Sequence, residues 1–299
     1  MNSVIPGITS ATSTKGWISV YADLVKARLV LMVLVTTLAG AYLGCDQFGA
    51  EYVIIFHAVL GTALIAGGAA ALNQFLEREH DARMRRTAGR PLPSGRLQPL
   101  TVMLFGGTCA LMGTIYLAAL VNPLTCVLGV ISFISYLFIY TPLKRLTWWN
   151  TAVGTVPGAL PCLMGWTATR GQLSTEAWVL FAIIVLWQLP HFCAIAWIYK
   201  DDYARAGYKM VSVVEPSGDR AAQQAIGNAA VLLLVSLMPT LVHLAGWLYF
   251  AAALGLGGLY LLRSIQFART LDMRSAKKLF RTSIVYLALL LVALAIDKQ

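Results

Sequence analysis

The sequence predicts an all-α membrane protein in which nine transmembrane helices form one bundle. Of its 299 residues, 58% are hydrophobic and 12% are charged, whereas a soluble domain carries about 25% charged residues. The mean hydropathy is +0.70, and the apolar residues form long blocks close to the roughly 20 residues that cross a bilayer. The nine blocks cover residues 24–45, 52–76, 100–121, 124–140, 150–168, 177–199, 225–244, 246–264 and 280–296.

These blocks leave too little chain for a soluble domain. Residues 1–299 are therefore predicted to form a single transmembrane domain, with residues 1–23 as an N-terminal tail. The first block contains Thr36 and Thr37 and is followed at once by a second apolar block. This pattern favours a retained span over a cleaved signal peptide.

The net charge of +10 is distributed in a way that predicts orientation. If the spans alternate, all lysines and arginines except Arg170 and Lys298 fall on one side of the membrane. Short cytoplasmic loops are enriched in Lys and Arg, so the N-terminus and the basic loops are predicted to be cytoplasmic. The charge thus reflects topology, and we expect no nucleic-acid partner.

The second block ends in a first acidic motif. Asn73, Glu77 and Asp81 recur every four residues, so on a helix they share one face. Carboxylates at a membrane boundary are costly unless they are paired or bind a cation, and hard oxygen ligands suit Mg²⁺. The alternative is a solvated helix end with salt bridges such as Glu79–Arg83, which leaves the deeper Asn73 and Glu77 unexplained.

An arginine-rich loop follows this motif. Arg86 and Arg90 lie in residues 83–96, where Pro and Gly residues predict an ordered loop. Guanidinium groups bind phosphate oxygens with two parallel donors, a geometry that lysine lacks. The motif and the loop together predict a site for Mg²⁺ and a phosphorylated ligand.

A second acidic motif ends the sixth block. Asp201 and Asp202 lie there beside Lys200, Arg205 and Lys209, on the same predicted side of the membrane as the first motif. Two acidic helix ends that face one cavity would bind Mg²⁺ ions around one diphosphate and neutralise it as a leaving group.

At these residues the chain resembles the UbiA-type intramembrane prenyltransferases. The first motif and its loop, residues 73–96, carry the likeness together with residues 140–150, 158–166, 186–192 and 202–210. The last four stretches resemble the branch of this family that farnesylates haem. The resemblance implies a nine-helix bundle that uses Mg²⁺, with farnesyl diphosphate and a vinyl group of haem B as substrates. It also implies that the haem product supplies terminal oxidases. Haem A synthase or an oxidase would then be a further partner.

Roles for individual residues follow from the motifs and the resemblance taken together. Asn73, Glu77, Asp81 and Asp202, with Asp201, are expected to hold Mg²⁺ on the diphosphate. Its oxygens are expected to bind Arg86, Arg90, Lys144 and Arg145, with Lys200 beside them. The candidates for stabilising an allylic cation through ring faces are Tyr136, Tyr140, Trp187 and Trp197.

Histidines within the spans are candidates for holding haem. His191 follows a proline inside the sixth block, where an ionisable residue is a functional candidate by default. A packing role near the proline kink is the alternative. His57 and His243 lie near the opposite membrane face and are the other candidates.

Two other functions remain open at this point. One is a prenyltransferase of the same family that acts on an aromatic acceptor of quinone synthesis. The other is an ion-coupled transporter, although transporters place such acids near the bilayer midplane rather than beside an arginine-rich loop. The short N-terminal tail lacks an arginine-rich amphipathic stretch, which favours a bacterial inner membrane over a mitochondrial one.

Overall fold

The computed structural model describes residues 16–46 and 48–299, and these residues form helices and connecting loops without a β-strand. A helix lies in each of the nine apolar blocks, and a π-helical segment, Ser135–Tyr140, continues the one in the fourth block. The helices are α1 (Trp17–Leu24), α2 (Ala27–Gly44), α3 (Phe48–Asp81), α4 (Pro99–Leu120), α5 (Pro123–Ile134), α6 (Thr141–Leu146), α7 (Asn150–Arg170), α8 (Thr175–Ile198), α9 (Lys200–Arg205), α10 (Val211–Val214), α11 (Asp219–Val235), α12 (Met238–Leu241), α13 (Trp247–Thr270) and α14 (Met273–Ile296).

Eight segments of the described chain are long and apolar enough to cross a membrane. The ninth expected span, α7, has the length of a span but is less apolar, because it carries several threonines and two prolines. Most of its 21 residues are buried in the protein, so its polar groups bond to its own backbone and to neighbouring helices instead of meeting lipid. The eight segments are Ala27–Gly44, Glu51–Asp81, Pro99–Leu120, Pro123–Leu146, Thr175–Ile198, Asp219–Leu241, Trp247–Thr270 and Met273–Ile296.

Close packing of α2 against α7 explains why small residues face each other there. A Cβ added at Gly165 would collide with the backbone carbonyl of Thr37, and one added at Gly40 would collide with that of Cys162. Small residues let helix backbones approach in membranes, where packing rather than the hydrophobic effect holds helices together.

The helices close into a ring. Helix α3 packs on α4, α7 lies between α2 and α8, and α8 also packs on α11 and α14. Helix α14 contacts α2, so the last of the described spans meets the first. Lys298 strengthens this closure, because its Nζ donates to the backbone carbonyl of Tyr42 at 2.8 Å and to that of Cys45.

One short helix lies inside the predicted N-terminal tail. Helix α1 buries Val20 and Leu24 against Ala71 and the loop residues Leu92 and Leu97. It therefore packs the start of α2 beside the end of α3 and the loop that follows. Residues 1–15 of the predicted tail lie outside the described residues.

Candidate active site

The C-terminal half of α3 carries three buried polar residues on one face. Asn73 and Asp81 are fully buried, and Glu77 is 3% exposed. Their side chains recur at i, i+4 and i+8 and therefore form a row that runs to the end of the helix. An ionised carboxylate inside a protein costs several kcal/mol unless charge and hydrogen bonds compensate it.

Each member of this row is bonded to a cation from a different part of the chain. One cation precedes α2, the second lies in α6, and the third belongs to the loop after α3. Together they offset the charge of the two carboxylates without any added ion. The distances are 2.5 Å from Lys26 Nζ to Asn73 Oδ1, 2.7 Å from Lys144 Nζ to Glu77 Oε1, and 2.6 Å from Arg90 to Asp81 Oδ2.

One carboxylate oxygen of the row has no hydrogen-bond partner among the described residues. Asp81 Oδ1 is buried, and none of the described residues donates a hydrogen bond to it, a state that costs about 1–3 kcal/mol or more for a charged group. Within the described residues no three His, Cys, Asp or Glu side chains converge as a ready-made metal site. The free oxygen and its carboxylate and amide neighbours nevertheless fit Mg²⁺, which takes one or two carboxylates and completes its shell with substrate phosphates and waters.

The second acidic motif meets the loop after α3. Asp202 lies at the start of α9, is 8% exposed, and accepts hydrogen bonds from the backbone N–H groups of Arg85 at 3.3 Å and Arg86 at 3.4 Å. The Arg205 side chain also bonds to it. Asp201 is exposed. The structure thus joins the second motif to the loop after the first motif through Asp202 and leaves Asp201 at the surface.

The predicted phosphate-binding residues differ in their contacts. The guanidinium of Arg86 lies 4.7 Å from the ring of Tyr199, and Lys144 Nζ lies 4.6 Å from the ring of Tyr140. Arg145 is exposed and bonds at 3.4 Å to a backbone carbonyl of α3. Lys200 lies 4.8 Å from the ring of Trp197 and is therefore turned towards α8.

Tyrosine rings form one wall of the site. Tyr136 and Tyr140 stack with centroids 5.8 Å apart, and Lys26 Nζ lies 3.3 Å from the Tyr136 hydroxyl. Burial raises the pKa of Tyr203 in α9 and of Tyr208 in the loop that follows it. Both phenols therefore stay protonated at neutral pH and present neutral ring faces and hydroxyl donors.

Comparison with known proteins places this architecture in a family. The model of the UbiA prenyltransferase family matches residues 33–292. The chain belongs to the UbiA prenyltransferase family. As expected from the sequence, it is an integral membrane prenyltransferase with the helical bundle of that family.

Relatives of this UbiA family chain extend over nearly its whole length. Proteins named protoheme IX farnesyltransferase are 42% identical in Solibacter usitatus and 43% identical in Salinibacter ruber, and each match covers 93% of this chain and 98% of the relative. The solved structure of a digeranylgeranylglyceryl phosphate synthase has a TM-score of 0.78 at 14% identity, covering 94% of this chain and 98% of its own. A UbiA homolog from Archaeoglobus fulgidus bound to DMAPP and Mg²⁺ has a TM-score of 0.64 at 15% identity, covering 91% and 99%.

Several residues of this UbiA family site were not singled out from the sequence. From the sequence, Lys26 was one of the basic residues that predicted the orientation in the membrane. In the structure it bonds to Asn73. Thr141 accepts a hydrogen bond from Asn73 Nδ2 at 2.9 Å, and Asn150 bonds to the backbone carbonyl of Lys209 at 3.1 Å. The likeness of residues 140–150 to the family was the one signal that pointed near Thr141 and Asn150.

His191 lies apart from the row, between α8 and α14. Its Nδ1 is 2.7 Å from Ser283 Oγ, and its ring stacks between those of Trp187 and Phe280. Trp187 is held to α14 by a bond from Nε1 to the Ser283 carbonyl. Trp197 packs edge-on against Phe267 of α13. The two tryptophans proposed as cation stabilisers thus pack against other helices.

Proposed function

We propose that this chain transfers the farnesyl group of farnesyl diphosphate to a vinyl group of protohaem IX, giving haem O and diphosphate. The observation that carries the proposal is the buried row of Asn73, Glu77 and Asp81, with its three cations and one unpartnered oxygen. This arrangement suits a metal-bound diphosphate. The relatives named protoheme IX farnesyltransferase, which match nearly end to end, favour haem as the acceptor.

Asn73, Glu77, Asp81 and Asp202 would hold the metal, with the exposed Asp201 as an outer ligand. Mg²⁺ bound there would supply positive charge to the departing diphosphate. The Archaeoglobus fulgidus homolog, solved with DMAPP and Mg²⁺, supports a divalent metal requirement in the family.

The cations that now pair with the row would bind the diphosphate when it arrives. Lys144 and Arg90 lie at its carboxylates, and Lys26 lies at its amide. Arg86 on the joining loop and the exposed Arg145 extend this positive surface, with Lys200 at its edge. A set of fixed cations stabilises the charge that develops on the leaving oxygen and needs little reorganisation during the reaction.

Breaking the bond between C1 of the farnesyl group and the diphosphate oxygen leaves an allylic cation. The stacked rings of Tyr136 and Tyr140 present faces that attract such a cation. The haem vinyl group then donates its electron pair to C1, which forms the new carbon–carbon bond. Water adds to the resulting cation and loses a proton, giving the hydroxyethylfarnesyl side chain. The bundle around the row limits entry of other water molecules, which would intercept the first cation.

The site end of the bundle would face the cytoplasm of a bacterial inner membrane. The support is the distribution of basic residues, which places all but Arg170 and Lys298 at that end. The product in that membrane would serve terminal oxidases, directly or after oxidation by haem A synthase.

The test is an assay with purified protein, haem B, farnesyl diphosphate and Mg²⁺, followed by mass spectrometry. We expect a haem product heavier by a farnesyl group plus water, lost on chelation and reduced at least about 100-fold in Asp81→Asn. Glu79→Gln is the matched control, since Glu79 is on the same helix but exposed. Prenylation of 4-hydroxybenzoate in place of haem would overturn the acceptor, and intact diphosphate with every acceptor would overturn the reaction.

A further inference from the structure

His191 is an ionisable residue inside a span that the diphosphate chemistry does not use. It lies on α8, 11 residues before Asp202, or about 16 Å along a helix at 1.5 Å per residue. Between Val179 and Ile198 no residue of α8 is exposed, and His191 is one of the partly buried residues of this stretch. Helices α7, α11 and α14 pack around α8, and His191 contacts α14 through Ser283 and Phe280.

Two short contacts of Ser283 fix the tautomer of this histidine. Ser283 Oγ is 2.6 Å from the backbone carbonyl oxygen of Phe280 and 2.7 Å from His191 Nδ1. A carbonyl only accepts, and a serine hydroxyl has one proton. That proton therefore goes to Phe280, so His191 Nδ1 must carry a hydrogen and donate it to Ser283. A neutral imidazole protonated at Nδ1 has its lone pair at Nε2.

The orientation of the ring is fixed as well. Trp187 stacks on it with centroids 5.1 Å apart, and Phe280 stacks at 5.0 Å. Trp187 is in turn bonded to the Ser283 carbonyl at 2.7 Å. Among residues 16–46 and 48–299, no protein group is hydrogen-bonded to Nε2. A histidine whose Nδ1–H is donated to a fixed acceptor and whose Nε2 is free has the arrangement of a metal-ligating histidine.

We propose that His191 Nε2 binds the iron of the haem acceptor as an axial ligand and that Ser283 positions it. The inference rests on the proposed function and names the group that holds its second substrate. Imidazole is a common axial ligand of haem iron. A bond at the iron would hold the porphyrin ring inside the bundle on the site side of α8, where a vinyl group can be directed towards the row on α3.

The first test needs no variant. The wild-type protein is titrated with ferric haem and, separately, with metal-free protoporphyrin IX, both without farnesyl diphosphate. If the iron is ligated, haem binds at least about tenfold more tightly than the metal-free ring, and its Soret and electron paramagnetic resonance spectra are those of a histidine-ligated haem. Equal affinity for the two rings, or a spectrum without a nitrogen ligand, overturns the proposal.

The second test assigns the ligand. His191→Ala is expected to lose the histidine-ligated spectrum and to regain it with added imidazole, whereas Ser283→Ala keeps the ligand with a Kd about tenfold higher. His57→Ala tests the other histidine in a span whose Nδ1 is bonded to a hydroxyl, that of Tyr116 at 2.6 Å, and loss of the histidine-ligated spectrum in that variant alone overturns the assignment. A His191→Ala protein with the wild-type spectrum and Kd overturns the assignment.

The product assay separates this inference from the proposed function. Histidine-ligated haem with no farnesylated product, under conditions that consume the diphosphate, leaves the ligand in place and overturns the acceptor chemistry. Farnesylated haem formed by a His191→Ala protein whose haem spectrum is unchanged keeps the proposed function and overturns the role of His191.

Discussion

Lys144 and Glu77 form a buried ion pair between α6 and α3. The nitrogen and Oε1 are 2.7 Å apart, and the side chains are 13% and 4% exposed. The pair joins two segments that are 67 residues apart in sequence. We therefore expect the pair to contribute both to the stability of the fold and to farnesyl transfer. Substitutions should affect these two contributions differently.

Lys144→Met is expected to lower the free energy of unfolding by about 3 kcal/mol, because it leaves the Glu77 carboxylate buried without its closest cation. Adding Glu77→Gln should restore most of that stability while farnesyl transfer stays low, since the double variant lacks a metal ligand and a phosphate-binding cation. Thermal unfolding in detergent and the product assay measure the two effects. A double variant as unstable as the single one would contradict this account.

Asp202 and Asp201 are adjacent but are expected to behave differently. Asp202→Asn weakens the bonds that hold the backbone of Arg85 and Arg86, so the KM for farnesyl diphosphate should rise by about tenfold or more. Asp201 is exposed, and Asp201→Asn should change the KM by less than about threefold. Steady-state kinetics at saturating haem distinguishes the two variants. An equal loss in both would make Asp201 a full metal ligand.

Mg²⁺ alone is expected to stabilise the protein little, because both carboxylates of the row already have a cation within 2.7 Å. Mg²⁺ with farnesyl thiodiphosphate, a slowly reacting analogue, gives those cations a new partner. At about 100 times its Kd the analogue adds about 2.7 kcal/mol, or a shift of roughly 4 °C in Tm for a chain of this size. Differential scanning fluorimetry with and without chelator measures both shifts. A full shift with Mg²⁺ alone would mean that the metal site forms without substrate.

Gly165 tests the contact between α2 and α7. Gly165→Ala places a methyl group against the Thr37 carbonyl, and such overpacking costs about 1–3 kcal/mol. Gly255→Ala on α13 is the matched control, because nothing lies within 4 Å of its added Cβ. The control is expected to match or slightly exceed the wild type, since alanine favours helix over glycine. Equal stability of the two variants, measured by thermal unfolding, would contradict the described packing.

Features that depend on local periodicity could be predicted from the sequence. The apolar blocks gave the long helices, and the spacing of Asn73, Glu77 and Asp81 predicted their common face. Helix α7 is long enough to cross a membrane but is not apolar enough to be counted among the eight spans. Its threonines and prolines reflect burial among other helices, a property that hydropathy along a single chain does not report.

Features that depend on distant contacts could not be predicted in the same way. Lys26 meets Asn73 across 47 residues, and His191 meets Ser283 across 92. No local pattern connects such pairs. The π-helical segment Ser135–Tyr140 has an ordinary apolar sequence, although such segments often occur at functional sites. The metal-ligand roles of the acids stay predictions that the kinetic experiments address.

The bond from Lys298 to the carbonyl of Tyr42 spans 256 residues of sequence, which sets an order of events during synthesis. Of the described spans, α2 is made first, and its partner α14 is made after all the others. Until then the edge of α2 that α14 covers has no protein neighbour from that side, and lipid must occupy it. The ring is consequently completed last, and a ribosome that stalls before residue 273 leaves an open bundle with its polar row already inserted.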